Sequence, residues 1–253
     1  MNTINKTLIC FLLSTIPCVS QASMSLPDLS HPQLTVAGGF LQSNTNDTHL
    51  VISPYETDSL KVHGGSNSAV LWQLGVGYSL FAEQLRQRTF FNNLLVEFNI
   101  YGSGDTTIKG DVWQYQLPQF NNYSFHASAH STRFMLDVKP QFSVSKTIEL
   151  YPIVGLGVSD DAISYSETVT GVGVDPNSAL SLGRHSSANF AYDLGVGVSM
   201  DINAHLGASL EYLYMGEGSV TSSGTPSNSV ALQSPPSFNV TNQALLFGLS
   251  WKI

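Results

Sequence analysis

The stretch Ala244-Leu245-Leu246-Phe247-Gly248-Leu249-Ser250-Trp251-Lys252-Ile253 decides the fold. Leu245, Phe247, Leu249, Trp251 and Ile253 alternate with Leu246, Gly248, Ser250 and Lys252, the period-two pattern of a strand with one apolar face. A strand this apolar, left at a sheet edge, is a template for pairing with other chains. A sheet that closes on its last strand removes that edge.

Seven further stretches alternate in the same way: 34–41, 70–80, 94–101, 132–139, 148–158, 190–200 and 206–214. The clearest sets Val70, Trp72, Leu74, Val76, Tyr78 and Leu80 against Gln73, Gly75, Gly77 and Ser79. Each is about ten residues long, the length a tilted strand needs to cross a bilayer. The links between them alternate short and long, with long connections at 44–65, 102–127, 159–189 and 216–237. Strict alternation puts every long connection on one side, the outer one in outer-membrane barrels. Residues 34–253 are therefore expected to form one all-β domain, an eight-stranded antiparallel up-and-down transmembrane β-barrel with four long extracellular loops.

Parity assigns the faces. The charged strand residues Glu97, Arg133, Asp137, Lys139, Asp193, Glu211 and Lys252 all oppose the continuous apolar face. A water-soluble lipocalin-type barrel has that arrangement inside out. The apolar face is almost uncharged over eight strands and carries aromatics near both ends, Trp72, Phe190, Tyr192, Tyr212 and Tyr214 toward the long connections, Tyr78 and Trp251 toward the short turns. Two aromatic belts around an apolar band suit lipid. The seven charged residues are then expected to face one another in the lumen as an ion-pair network, because charges removed from water must be paired. The glycine pairs Gly75/Gly77, Gly155/Gly157 and Gly195/Gly197 lie inside strands and make room for bulkier lumen neighbours, not a phosphate loop.

The beginning of the chain reads as a cleaved secretory signal at 1–22: Lys6, an apolar run over 7–16, and small residues at Ser20 and Ala22. Pro17 interrupts that run short of a membrane-spanning helix. Residues 23–33 are a lead-in to the barrel. Both cysteines, Cys10 and Cys18, fall inside the signal, so the mature domain has no disulfide. The formal charge of −8 excludes a nucleic-acid partner, which needs the opposite sign.

Gly248, Trp251 and Ile253 resemble the terminal signal that outer-membrane barrels present to their assembly machinery. Leu246 stands where that signal usually has a polar residue, and the last residue is aliphatic rather than aromatic. As a whole, residues 34–253 resemble the small barrels of the OmpA-transmembrane and opacity type. The resemblance implies a monomeric outer-membrane surface protein among lipid and lipopolysaccharide, working in envelope integrity, adhesion or recognition of a host or surface ligand through its loops. A narrow porin-like channel is the alternative. A third reading rests on His126-Ala127-Ser128, which resembles the His-x-Ser of the outer-membrane lipid A deacylases. That family's following Asn is Ala129 here, and no acid shares the outward face nearby; no enzyme is expected. His126 and His130 stand roughly 13 Å apart in a strand, too far to share one ion, so neither metal nor cofactor is expected. The long connections are rich in acids (Asp47, Glu56, Asp58, Asp105, Asp111, Asp160, Asp161, Glu167, Asp175, Glu217) and read either as a solvated surface or as an acidic recognition surface.

Overall fold

The computed structural model describes residues 32–80, 91–222, 226 and 232–253. The signal at 1–22 and all of the lead-in except its last two residues lie outside the described residues. The strands are β1 (Pro32–Thr45), β2 (Thr48–Ser53), β3 (Glu56–Val62), β4 (Ser66–Leu80), β5 (Phe91–Ser103), β6 (Thr106–Trp113), β7 (Asn121–Ser143), β8 (Ile148–Val169), β9 (Ser181–Asp201), β10 (Leu206–Thr221) and β11 (Ser237–Lys252).

Eight of them close a ring in the order β1-β4-β5-β7-β8-β9-β10-β11, every pair antiparallel. The last strand closes it, pairing with β1 from Gln33↔Lys252 to Thr45↔Val240. The short turns at 144–147 and 202–205 are held by their own polar groups, the first by the Ser145 hydroxyl, which accepts the N–H groups of Thr147 and Ile148. At 202–205 the Asn203 side-chain carbonyl accepts the N–H groups of His205 and Leu206. Val36, Phe40, Leu156, Val196, Phe247 and Leu249 are exposed around the outside, a continuous apolar band. Near its upper edge the Trp72 ring lies over Gly102 and the Tyr192 ring over Gly216, where a Cβ would collide with the indole and the phenol.

Three of the four long connections, 44–65, 102–127 and 159–189, are built largely of strand. Three strands, β2, β3 and β6, lie wholly within them, and β7, β8 and β9 run far past the lipid-facing band. β7 continues its ladder with β8 up to Tyr123↔Val169, while β3 and β6 extend the wall beside it. Two isolated bridges, Val51↔Ser234 and Leu182↔Pro226, tie the remaining sides. The result is a second ring on top of the first.

The two rings are packed oppositely. The inward face of β7 carries Arg133, Met135, Asp137 and Lys139 in the lower ring and Tyr123, Phe125 and Ala127 in the upper. Its outward face changes from Phe134, Leu136 and Val138 to Ser124, His126 and Ser128. Lipid surrounds the lower half, so apolar side chains point out; water surrounds the upper half, so they point in. The upper core contains Leu50, Leu60, Ile108, Val112, Tyr123, Phe125, Ile163, Tyr165, Leu182 and Phe238. Phe125 sits at its centre, stacked on Tyr165 at 5.7 Å and tilted against Phe238 at 6.1 Å.

Candidate functional site

Six of the seven lumen candidates are buried: Glu97, Arg133, Asp137, Lys139, Asp193 and Glu211. Lys139 is the hub. Its ammonium donates to Glu97 Oε2 at 2.7 Å and to Glu211 Oε1 at 2.8 Å, bridging two carboxylates across the lumen. Tyr151 donates its hydroxyl to the same Glu211 oxygen at 2.9 Å. A second cluster forms around Asp137, whose Oδ2 accepts from Asn99 Nδ2 at 2.6 Å and from the Tyr101 hydroxyl at 2.8 Å. Asn99 also donates to Glu97, which joins the two clusters. Glu97 is thus held by Lys139, while Arg133 adds its positive charge to the same interior, close enough to Asp193 for the two charges to interact. Room for these groups comes from glycine. A Cβ at Gly155 would strike the Asp137 and Asp193 carboxylates, one at Gly75 the side chains of Glu97 and Asn99, and one at Gly197 the Tyr151 ring.

Lys252 is set apart from this network. It lies at the lower mouth, about a third exposed, and binds Asp201 at 2.6 Å. Gly248 faces the lumen, with Ser209 and Ala37 where a side chain would be. Trp251 points outward and stacks with His205 at 6.1 Å, and Ile253 is exposed while its N–H donates to the Pro32 carbonyl.

Two small cavities lie in the described interior. A cavity of about 30 Å³ lies below the Lys139 bridge, lined by Glu97, Lys139 and Glu211 among others. One of about 20 Å³ lies at the junction of the rings, near Ser43, Asp161 and Asn242. Each holds a water or two at most. At that junction the Asp161 carboxylate accepts from Ser159 at 2.7 Å and from Asn189 at 2.9 Å.

Three acids that the sequence places in the long connections belong to this interior. Asp161 is one. Asp58 is 3% exposed inside the upper ring and accepts the Tyr115 N–H at 2.9 Å. Burial pushes its carboxyl up to about 6, against that hydrogen bond. Glu167 is half-buried nearby, accepting the Tyr165 hydroxyl at 2.7 Å and the Leu180 N–H at 3.0 Å. Burial raises it too, and the Asp58 charge adds to the effect. The two carboxylates clip the summit. Asp58 holds the turn after β6, where Tyr115 (φ 53°) and Gln116 (φ 61°) adopt the left-handed conformation, and Glu167 holds the segment before β9. The signal that would have revealed them is the apolar alternation around each, Leu60 and Val62 beside Asp58 and Ile163 and Tyr165 beside Glu167.

At that summit Tyr55, Tyr115, Leu117, Phe120 and Val172 are exposed on three neighbouring hairpin tips. Asn122 binds two of them together: its side chain donates to Gln114 at 2.8 Å and its carbonyl accepts from Thr170 and Gly171. His126 and Ser128 stand on the outward face of β7 above the lipid-facing band, with Lys109 and Thr107 on one side and Ser166 and Ser164 on the other. These cross-strand neighbours include no carboxylate to orient the imidazole, so a Ser-His-acid arrangement is not assembled. Among the described residues no three His, Cys, Asp or Glu side chains cluster as a metal site.

The family described as "Outer membrane protein beta-barrel domain" matches residues 10–252. No curated protein matches the chain. Among solved structures, neisserial surface protein A is 13% identical, with 88% of this chain and 97% of that one covered and a TM-score of 0.41. OprG from Pseudomonas aeruginosa is 15% identical, with coverage of 87% and 95% and a TM-score of 0.45. Ail, the attachment invasion locus protein of Yersinia pestis, is 11% identical, with coverage of 88% and 99% and a TM-score of 0.37.

Proposed function

Because the chain belongs to the outer membrane protein β-barrel family and sits in the bacterial outer membrane, we propose that it is a surface protein whose upper ring presents a recognition surface outside the cell. The observation that carries this reading is the summit. Five large apolar side chains stand exposed there, and Asp58 and Asn122 hold the tip that carries three of them. Strained, left-handed residues such as Tyr115 and Gln116 cluster at functional sites, because the surrounding structure must hold them in place. The rest of the molecule is committed: the lower outward face to lipid, the interior to ion pairs and an apolar core. A lumen bridged by Lys139 and capped by that core argues against the channel reading.

The test is adhesion of cells displaying the protein to host-cell and matrix surfaces. Tyr115→Ser, Leu117→Ser and Phe120→Ser together are expected to lower adhesion several-fold while the barrel keeps its heat-dependent shift in gel mobility. Adhesion unchanged after Tyr55→Ser and Val172→Ser are added, or no adhesion by the unaltered protein, would reject recognition at the summit.

A further inference from the structure

The lower lumen holds more acid than base. Among the described residues Glu97, Asp137, Asp193 and Glu211 are buried there with Arg133 and Lys139, four carboxylates against two cations. Lys139 is engaged by Glu97 and Glu211, so it does not serve the other two. The ladder sets those two on either side of one glycine: Asp137 of β7 pairs with Gly155 of β8, and Gly155 with Asp193 of β9. A Cβ on Gly155 would strike Asp137 Oδ1 and Asp193 Oδ1 together, so both oxygens converge on one point. Two carboxylate oxygens aimed at the same point repel unless something positive lies between them.

The surroundings do little to relieve that repulsion. Asp193 is wholly buried, and neither of its oxygens accepts a hydrogen bond, which holds for no other buried carboxylate among the described residues. Arg133 is near enough for its charge to reach Asp193, yet neither Asp193 oxygen accepts a hydrogen bond from it. Asp137 is buried as deeply. Its Oδ2 takes the Asn99 and Tyr101 donors, while its Oδ1, the atom turned toward Asp193, takes none. The lumen neighbours on the same strands and the next, Met135, Ile153, Leu213 and Met215, belong to one apolar cluster.

We propose that Asp137 and Asp193 hold a divalent cation of the calcium type over Gly155, inside the lower ring. Such an ion takes oxygen ligands and accepts carboxylates through one oxygen or both. The two side chains offer it three open oxygens, Asp137 Oδ1 and both oxygens of Asp193. A single proton shared by the two Oδ1 atoms would leave Asp193 Oδ2 among apolar side chains with no partner. The charge of a divalent ion also equals the excess of acid over base in this part of the lumen. Glycine at 155 is what keeps the place open, since any side chain there would fill it. Once bound, the ion staples β7 to β9 across β8. The site is separate from the summit, and neither reading depends on the other.

The experiment refolds the full barrel into lipid vesicles with calcium chloride or with EGTA, passes it into metal-free buffer and counts calcium by atomic emission. Asp193→Asn is expected to retain one ion fewer per barrel than the unaltered protein, and Asp137→Asn should do the same. Asp201→Asn, at the lower mouth, should retain as many as the unaltered protein and so separates this site from the exposed acids. Calcium should raise the unfolding temperature of the unaltered barrel by about 5 °C. Asp193→Asn should abolish that rise and, in EGTA, unfold at a higher temperature than the unaltered protein, because it removes an uncompensated buried charge. No retained calcium, equal retention by both Asn variants, or an unfolding temperature indifferent to calcium would overturn the proposal and leave a shared proton to hold the pair. The calcium count and unfolding temperature of the unaltered protein decide the matter even where a variant loses its heat-dependent gel mobility.

Discussion

Lys139 joins two lumen walls by one ammonium, and it is itself almost wholly buried between Glu97 and Glu211. Lys139→Met leaves both carboxylates without their cation and should destabilise the barrel by about 3–5 kcal/mol, as breaking a buried pair does. Adding Glu97→Gln and Glu211→Gln should recover most of the loss, because the penalty lies in uncompensated charge. Urea unfolding from lipid vesicles measures both. Asp58 is a buried acid of the opposite kind, with no cation paired to it among the described residues. A carboxyl raised from 3.8 to about 6 on folding favours the folded state when protonated. Its stabilising effect is therefore complete below pH 4 and is lost as pH rises to about 6. Above that, the buried charge costs on the order of 3 kcal/mol. Hydrogen exchange at 114–120, corrected for intrinsic rates, should show this turn better protected at pH 5 than at pH 8. Asp58→Asn, which retains an acceptor for the Tyr115 N–H, should remove the difference and protect the turn at both.

At the scale of the element, β7 shows how one strand serves two solvents. Phe125→Ser takes the central ring out of the upper core and should cost about 3–5 kcal/mol there. The lower ladder from Thr132 to Val138 is untouched by it. Protease should then cut the upper ring readily, while the heat-dependent gel shift of the barrel persists; loss of both together would show that the rings fold as one unit. The same strand explains what could be read from sequence. Over 132–139 the apolar face meets lipid, so alternation is unbroken and the strand is plain. Over 121–131 alternation continues, but the apolar side chains move to the other parity, and a pattern followed in one phase ends there. In β10 the register slips between Gly216 and Ser219, so its upper segment carries no clean period. The lumen charges fall on one parity in the sequence. Which of them pair is not legible there, because strand stagger, which sequence does not display, decides that Lys139 meets Glu97.

Viewed whole, the molecule is a tube of two stacked rings. Its lower interior is polar because its exterior cannot be, and its upper interior is apolar because its exterior need not be. β7, β8 and β9 run through both without a break, at 23, 22 and 21 residues. A strand of that length measures roughly 75 Å along its axis. This continuity has a mechanical consequence. Tension applied at the turn over 114–120 enters β7 directly and travels lengthwise down its ladder with β8, from Tyr123↔Val169 to Ser143↔Glu149. Hydrogen bonds pulled along the strand direction share the load and resist as a group, whereas a loop hinged at the membrane surface would peel them apart one at a time. A cell attached by this summit under flow would be moored through the barrel wall itself.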